Sequence, residues 1–382
     1  MNWENERKRF PAALTQVYLE TGGTGLIPDY VYEGIKHFQD GRYLRGGDAD
    51  WGGIGTVQMM AEARGHIAKM LGCGKEDIFF GGNTSQILSV VFGGFPFEPG
   101  DNIITSAWTF FAQKYAFSFL EKEGVEIRYV TPDRGRITPD MLAARTDAHT
   151  RMICLDFVEN TTGFRIDTKA IGTFCRERDI CFVVDACQGT GAMPLDVYDM
   201  KIDFLANNDY KWMMNYCGTG FGFVTPALCQ KLKQRTCGWM ADRDLFVEKE
   251  TIDLREDAAR FEFGYPNVSG IYGLGLVAKR YCELGAKNIE DYILDLNAYL
   301  EERVKELPGA CFWSDYDRVN RSGIAVVCFD HDIDKEKLAK HRIIAPVRSG
   351  AMYGWQTAIR IGLHYYNSRE DIDRLIAALQ AE

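Results

Sequence analysis

The alternation of apolar runs with amphipathic stretches predicts a sheet whose strands are joined by helices. Apolar runs of strand length lie at 78–80, 102–106, 152–157, 181–184 and 204–206. Helical spacing is clearest from Val57 to Leu71, where apolar residues recur every three or four positions and Gly72 supplies a stop signal. Because strands that alternate with helical connections form parallel sheets, we expect an α/β domain with a mostly parallel sheet.

The last third of the chain predicts a second set of elements. Two helices are expected over residues 268–306, followed by a strand at Ile324–Phe329 and, within the stretch 357–362, a strand that ends at Arg360. A capping box between Ser368 and Asp371 then opens a final amphipathic helix. Helices and strands in this order predict a small α+β unit after the large sheet.

These patterns divide the chain into three parts. We expect an N-terminal segment with an active-site strand and turn over 1–25, a large domain over 26–267 and a small C-terminal domain over 268–382. The stretch 41–55 is rich in glycine and aspartate, and it is expected to form a loop.

Composition excludes several classes of protein. Of the 382 residues, 46% are hydrophobic and 26% are charged, which is typical of a globular protein with a full core. The net charge of −10 argues against nucleic acid or an anionic membrane as the main partner. No apolar run approaches the roughly 18 residues of a membrane-spanning helix. The charged first eight residues lack a signal-peptide core, so we expect a cytoplasmic protein.

The cysteines and histidines predict neither disulfides nor a metal site. The chain has 11 cysteines, an odd number without a CxxC pair, and several of them lie inside apolar runs. Such cysteines are typical of reduced, buried thiols in a reducing compartment. The 6 histidines are dispersed, which gives a metal site little support.

Two residues carry the candidate chemistry. Lys211 follows the apolar run 204–206 and a polar turn, and glycines come soon after it. Asp185 follows the apolar run 181–184, as a functional acid does at the carboxyl end of a parallel strand. Alone, Lys211 is better explained as a surface lysine at the end of a strand, and Asp185 is equally well explained as a helix cap or an ion-pair partner. Together they are what pyridoxal phosphate (PLP) requires: a lysine for a Schiff base and an acid for the pyridinium nitrogen.

Four ordered motifs make the chain resemble a known family. They are Val-Asp-Ala-Cys-Gln at 184–188, Asn-Asp-Tyr-Lys-Trp at 208–212, Phe-Glu-Phe-Gly-Tyr-Pro-Asn at 261–267 and Tyr-Tyr-Asn-Ser at 365–368. The sequence resembles the class V aminotransferase family of fold-type I PLP enzymes, which includes cysteine desulfurases, isopenicillin-N-epimerase-like proteins and kynureninases. The resemblance implies a seven-stranded mixed sheet, a smaller C-terminal domain, PLP as cofactor, an amino-acid substrate and a homodimer with shared active sites.

The resemblance also implies the site residues. For Asn83 and Thr84 the sequence itself offers an observation: a strand, a glycine turn and a helix start at 78–86 leave free backbone N–H groups that suit an anion, and a purely structural turn is the alternative. For Phe110 the alternative is core packing, and for Arg360 it is a surface ion pair. The implied cofactor-binding residues are Lys211, Asp185, Asn83, Thr84, Phe110, Asn160, Gln188, Asn208, Tyr210 and Tyr265, and the implied substrate-binding residues are Arg360, Gly23 and Tyr353.

The expected activity is that of a lyase or an aminotransferase on an α-amino acid, with Lys211 and Asp185 as catalytic residues. Amino-acid epimerisation or racemisation is an alternative. The loop at 348–355 aligns with the one that carries the nucleophilic cysteine of desulfurases, and no cysteine follows Cys328. A desulfurase would therefore need a relocated nucleophile. A catalytically silent binding protein is the non-enzyme alternative. A dinucleotide-dependent oxidoreductase has little support, since no G-x-G-x-x-G follows a strand.

Overall fold

A computed structural model describes residues 1–46, 53–245 and 247–381, without the side chains of residues 53 and 54. The helices are α1 Trp3–Arg7, α2 Pro11–Thr15, α3 Asp29–Arg45, α4 Gly53–Leu71, α5 Thr84–Gly94, α6 Phe111–Lys122, α7 Pro139–Ala143, α8 Thr168–Arg176, α9 Pro226–Lys231, α10 Val268–Leu284, α11 Ala286–Val304, α12 Lys335–Lys340 and α13 Arg369–Gln380. The strands are β1 Val17–Tyr18, β2 Ile78–Gly81, β3 Asn102–Ser106, β4 Glu126–Val130, β5 Thr150–Asp156, β6 Cys181–Asp185, β7 Phe204–Asn208, β8 Gly220–Val224, β9 Ala310–Phe312, β10 Ile324–Phe329, β11 Ile343–Ile344, β12 Val347–Ser349 and β13 Thr357–Gly362.

The largest sheet has seven strands in the order β2-β8-β7-β6-β5-β3-β4. Strand β8 is antiparallel to both of its neighbours, and the other pairs are parallel. Every residue of the central strands β6 and β7 is buried, because apolar clusters cover both faces of the sheet. The predicted mostly parallel sheet of an α/β protein is therefore confirmed, with the seven mixed strands that the resemblance implies.

The C-terminal part contains a four-stranded antiparallel sheet in the order β12-β13-β10-β9. Strand β10 has the predicted bounds, β13 continues two residues beyond the predicted end at Arg360, and the predicted capping box opens α13. A bridge between Glu20 and Gly362 brings the N-terminal glycine turn beside β13. The domain boundaries at residues 25 and 267 stay a prediction. Helix α10, which follows the second of these boundaries, packs on both α3 and α4, which precede it.

The prediction of a loop over residues 41–55 is wrong at both ends. Helix α3 continues to Arg45, and α4 begins at Gly53, while residues 47–52 lie outside the described part of the chain. The reason is that Gly41 continues a buried helical face formed by Val31, Ile35 and Phe38. A glycine that packs on this face was mistaken for a turn signal.

No helix in the described residues is long and apolar enough to cross a membrane.

Candidate active site

A cavity of about 700 Å³ lies at the carboxyl ends of the central strands β5, β6 and β7. The N-terminus of α5 and the first turns of α6 complete its wall, as expected for a ligand site in an α/β sheet. The cavity brings together most of the predicted cofactor-binding residues, which are Asn83, Thr84, Phe110, Asn160, Asp185, Gln188, Asn208, Tyr210 and Lys211.

Lys211 lies in the loop after β7 and is half-buried. Its Nζ atom lies 5.8 Å from the ring centroid of Phe110 and 5.9 Å from that of Tyr210. Within the described residues, this amine has no carboxylate at salt-bridge distance. The N-terminal segment holds this loop in place, because the backbone N–H of Gly25 donates to the Tyr210 carbonyl over 2.8 Å. Lys211 therefore has a fixed backbone and an uncommitted amine.

Asp185 is the last residue of β6 and is 6% exposed. Its Oδ1 atom accepts the backbone N–H of Cys187 over 3.0 Å, and its Oδ2 atom accepts from Gln113 Nε2 over 2.9 Å. These hydrogen bonds hold a carboxylate in one orientation at the cavity wall, where it can pair with a protonated nitrogen.

The N-terminus of α5 forms the anion-binding end of the site. Asn83 is the N-cap, and its side-chain oxygen accepts from the backbone N–H of Gln86 over 3.0 Å. The first backbone N–H groups of the helix have no partner within the helix, so they can bind an anion. Thr84 Oγ1 lies beside them, 2.6 Å from Cys187 Sγ. Asn83 thus shapes the anion site by capping the helix.

Gln188 and Phe110 line the cavity in different ways. The Gln188 side chain accepts from Trp212 Nε1 over 2.5 Å and donates to the Gly22 carbonyl over 2.9 Å, so one of its N–H bonds is left for a ligand. Phe110 is 41% exposed at the cavity, which rules out the alternative that it is a core residue.

Arg360 reaches the edge of the site from β13. Its Nη1 atom donates to the Asn160 carbonyl over 2.8 Å, and a Cβ atom at Gly22 would lie 3.2 Å from its Nη2 atom. Gly22 therefore leaves room for the guanidinium, and the predicted role of Gly23 in substrate binding stays a prediction. Burial, followed by the charge of Arg348, lowers the Arg360 pKa to about 10. A buried guanidinium of this kind is not the surface ion pair that was the alternative, and it favours a carboxylate ligand.

Tyr353 lies near Arg360 and is 8% exposed. Its hydroxyl donates to the Thr161 carbonyl over 3.1 Å, and its ring packs edge-on against Trp313. Burial raises the pKa of this phenol above its ordinary value, so it is a poor nucleophile.

Tyr265 is the predicted cofactor-binding residue that lies apart from the cavity. It is 51% exposed, packs against Trp239 and donates to Thr56 Oγ1 over 3.1 Å. It lines a separate depression with the glycines that follow β2.

Gln113, Asp156 and Cys187 are among the cavity residues that were not predicted. Asp156 ends an apolar strand in the same way as Asp185 does, and that signal was present in the sequence. Cys187 was hidden because a cysteine beside an apolar run is typical of a buried thiol. Burial and then the charge of Asp185 raise the Cys187 pKa well above its ordinary value.

Comparison with known proteins agrees with this geometry. The family profile for class V aminotransferases matches residues 17–375. A probable cysteine desulfurase of Methanothermobacter thermautotrophicus is 24% identical, with 100% of this chain and 98% of that protein covered. A cysteine desulfurase of Yersinia pestis is 27% identical over 100% of this chain and 98% of that protein. The apo structure of a cysteine desulfurase from Thermococcus onnurineus superposes with a TM-score of 0.86 and 24% identity, covering 99% of this chain and 97% of that one, and it shows the same fold.

The match over nearly the whole chain settles the family. The fold is that of fold-type I PLP enzymes, as the seven-stranded sheet predicts. The chain belongs to the class V aminotransferase family of PLP-dependent enzymes.

Proposed function

We propose that this protein is a PLP-dependent lyase or aminotransferase that acts on an α-amino acid, with Lys211 and Asp185 as its catalytic residues. The observation that carries the proposal is that an uncommitted lysine amine and a buried, oriented carboxylate border one cavity. A catalytically silent relative is disfavoured because both groups are present and hydrogen bonds hold their surroundings in place.

The residues present fit PLP. Asp185 offers a carboxylate for the ring nitrogen, the start of α5 offers free N–H groups for the phosphate, and Phe110 offers a ring face for stacking. Asn160, Gln188, Asn208 and Tyr210 add polar atoms around the same space. When bound, PLP supplies an electron sink for the charge that develops at the substrate α-carbon.

The chain's own groups then have separate tasks. Asp185 holds a proton at the ring nitrogen, because a buried carboxylate favours a protonated partner. The Lys211 amine takes and returns the proton of the substrate α-carbon, which requires its neutral form. Arg360 holds the α-carboxylate, and Phe110 keeps water from one side of the reacting atoms.

Replacing Lys211 tests the assignment of the catalytic amine. Purified wild-type protein should absorb visible light, and borohydride reduction should attach the cofactor to Lys211. Lys211→Ala should lose the covalent attachment and turnover, since Lys211 is the only lysine among the described residues that line the cavity. Lys122→Ala, at the exposed end of α6, should retain both. Full turnover in Lys211→Ala contradicts the proposal.

Replacing Arg360 tests the carboxylate site. Arg360→Ala should raise KM strongly, because loss of a charge-assisted contact costs about 2–5 kcal/mol when the partner charge stays buried. PLP affinity should change little. Arg348→Ala is the matched control, since Arg348 is exposed and should have a small effect on KM. Steady-state kinetics decide the matter, and an unchanged KM in Arg360→Ala would falsify the role.

Cysteine desulfuration is the second candidate, because relatives that span the whole chain carry that name. The loop that aligns with the cysteine-bearing loop of desulfurases holds Tyr353, whose phenol is buried and bound to Thr161. The cavity contains one cysteine among its described lining residues, Cys187. Its raised pKa keeps the thiol protonated, whereas persulfide formation requires a thiolate.

We therefore expect that no cysteine is needed for the first chemical step. Cys187→Ala should keep turnover of amino-acid substrates within about threefold, since a protonated thiol contributes little as a nucleophile. Thiol-specific alkylation before and after incubation with cysteine should reveal no persulfide. Cys217→Ala, at an exposed cysteine, is the control. A persulfide on a cysteine whose Ser variant is inactive would make the enzyme a desulfurase with a relocated nucleophile.

We also propose a cytoplasmic homodimer with shared active sites. All 11 cysteines are free, which suits a reducing compartment. Tyr265 lies outside the cavity of its own chain, so it can serve a PLP phosphate only in another copy. Phe111, Tyr115 and Phe119 form an exposed aromatic stripe on α6 beside the cavity mouth, which a second copy would cover. Closed two-fold dimers are the commonest assembly of soluble proteins.

Mixing two defective variants tests the shared site. Lys211→Ala lacks the amine but retains Tyr265, and Tyr265→Ala retains the amine. If sites are shared, re-assembled hybrid dimers contain one complete site, so the activity of the mixture should exceed the sum of the separate variants. Lys211→Ala mixed with Arg360→Ala is the control, because both defects lie in the same chain's site and complementation should fail. An active monomer in sedimentation would refute the dimer.

A further inference from the structure

Two carboxyl groups, rather than one, lie at the end of the cavity that contains Asp185. Asp156 ends β5 and Asp185 ends β6, and the two residues are direct partners in the parallel pairing of these strands. Side chains of paired residues on parallel strands point to the same face, so both carboxyl groups border the same cavity. Their relative exposures are 8% and 6%.

Gln113, on α6, joins the two groups. Its Nε2 atom donates to Asp156 Oδ1 over 2.7 Å and to Asp185 Oδ2 over 2.9 Å. Its Oε1 atom accepts from Cys154 Sγ over 3.4 Å, which orients the amide with its nitrogen toward the carboxyl groups. Both hydrogens of one amide are therefore committed to the pair.

The surroundings of Asp156 do not suit a second negative charge. Its Oδ1 atom also accepts from Thr109 over 3.2 Å, but its buried Oδ2 atom has no hydrogen-bond partner. In the described parts of the chain it forms no salt bridge. The titratable groups around it are Asp185 on β6, Glu159 beyond the end of β5 and Cys154 on β5. Burial, then Asp185 and Glu159, raise the Asp156 pKa well above its ordinary value.

We propose that Asp156 is a positioning residue: a protonated carboxylic acid that, through Gln113, holds the Asp185 side chain in its orientation at this end of the cavity. The proton lies on Oδ2, since Oδ1 accepts two hydrogen bonds. Asp185 alone would then face the ring nitrogen of PLP, and its orientation would depend on an amide that Asp156 keeps in place. The role toward PLP rests on the proposed function, whereas the protonation of Asp156 does not.

The protonation is tested without cofactor. Infrared spectra of the apo protein between pH 6 and pH 8, roughly the range in which an ordinary carboxyl group is fully ionised, should show a protonated-carboxyl band that shifts in D₂O. The band should lose the intensity of one carboxyl group in Asp156→Asn, whereas Asp209, whose pKa burial raises to about 8, contributes to the band in both proteins. Asp147→Asn should retain the full intensity, because Arg128 holds the pKa of Asp147 well below its usual range. A wild-type spectrum without the band, or an undiminished band intensity in Asp156→Asn, overturns the proposal.

The positioning role is tested by PLP binding and by the pH dependence of the bound cofactor's visible absorption. Asp156→Asn replaces a neutral acid by a neutral amide, so Kd and the midpoint of the pH dependence should match wild type. Asp156→Leu cannot accept from Gln113, and its Kd should rise about tenfold or more. A shifted midpoint in Asp156→Asn, wild-type affinity in Asp156→Leu, or failure of Asp156→Asn to fold overturns the proposal. Absence of PLP binding in wild type would instead refute the proposed function and leave the infrared result standing.

Discussion

The parallel pairing of β5, β6 and β7 is the constraint on which the site depends. Parallel strands end at the same edge of a sheet, so this pairing places the residues that follow each strand around one space. Asp185 pairs with Asp156 on one side and with Ala206 on the other. Strand β7 ends at Asn208, and Lys211 lies three residues beyond it in the loop that follows. A buried acid and a lysine that are distant in the sequence therefore meet without special loop geometry.

The loop of Lys211 is in turn fixed by distant parts of the chain. A Cβ atom at Gly25 would overlap the carbonyl oxygen of Lys211, so only glycine permits this approach. Trp212 is buried and donates to Gln188, while its carbonyl lies 3.1 Å from His364 Nε2. Burial lowers the His364 pKa to about 4, so the ring is neutral and can donate to that carbonyl. The N-terminal turn and the C-terminal segment thus hold the lysine backbone together.

The features that the sequence predicts correctly are encoded in short local patterns. The features that it misses depend on the register between strands and on the packing of helices. The central strands, Asp185 and Lys211 stand out because each motif contains its own apolar run and polar end. The pairing of Asp156 with Asp185 depends on the register of two strands, which no local pattern contains. The bridging position of Gln113 depends further on how α6 packs on the sheet. Gly41 illustrates the opposite error, since a packed helical glycine carries the composition of a turn.

The turn after β5 links the substrate end of the site to its interior. Glu159 is 4% exposed, and its carboxylate accepts the backbone N–H groups of Thr161 and Thr162 over 2.9 and 2.7 Å. The carbonyls of the same turn receive Arg360, through Asn160, and Tyr353, through Thr161. One buried carboxylate therefore orders the turn whose carbonyls accept hydrogen bonds from both the Arg360 guanidinium and the Tyr353 phenol.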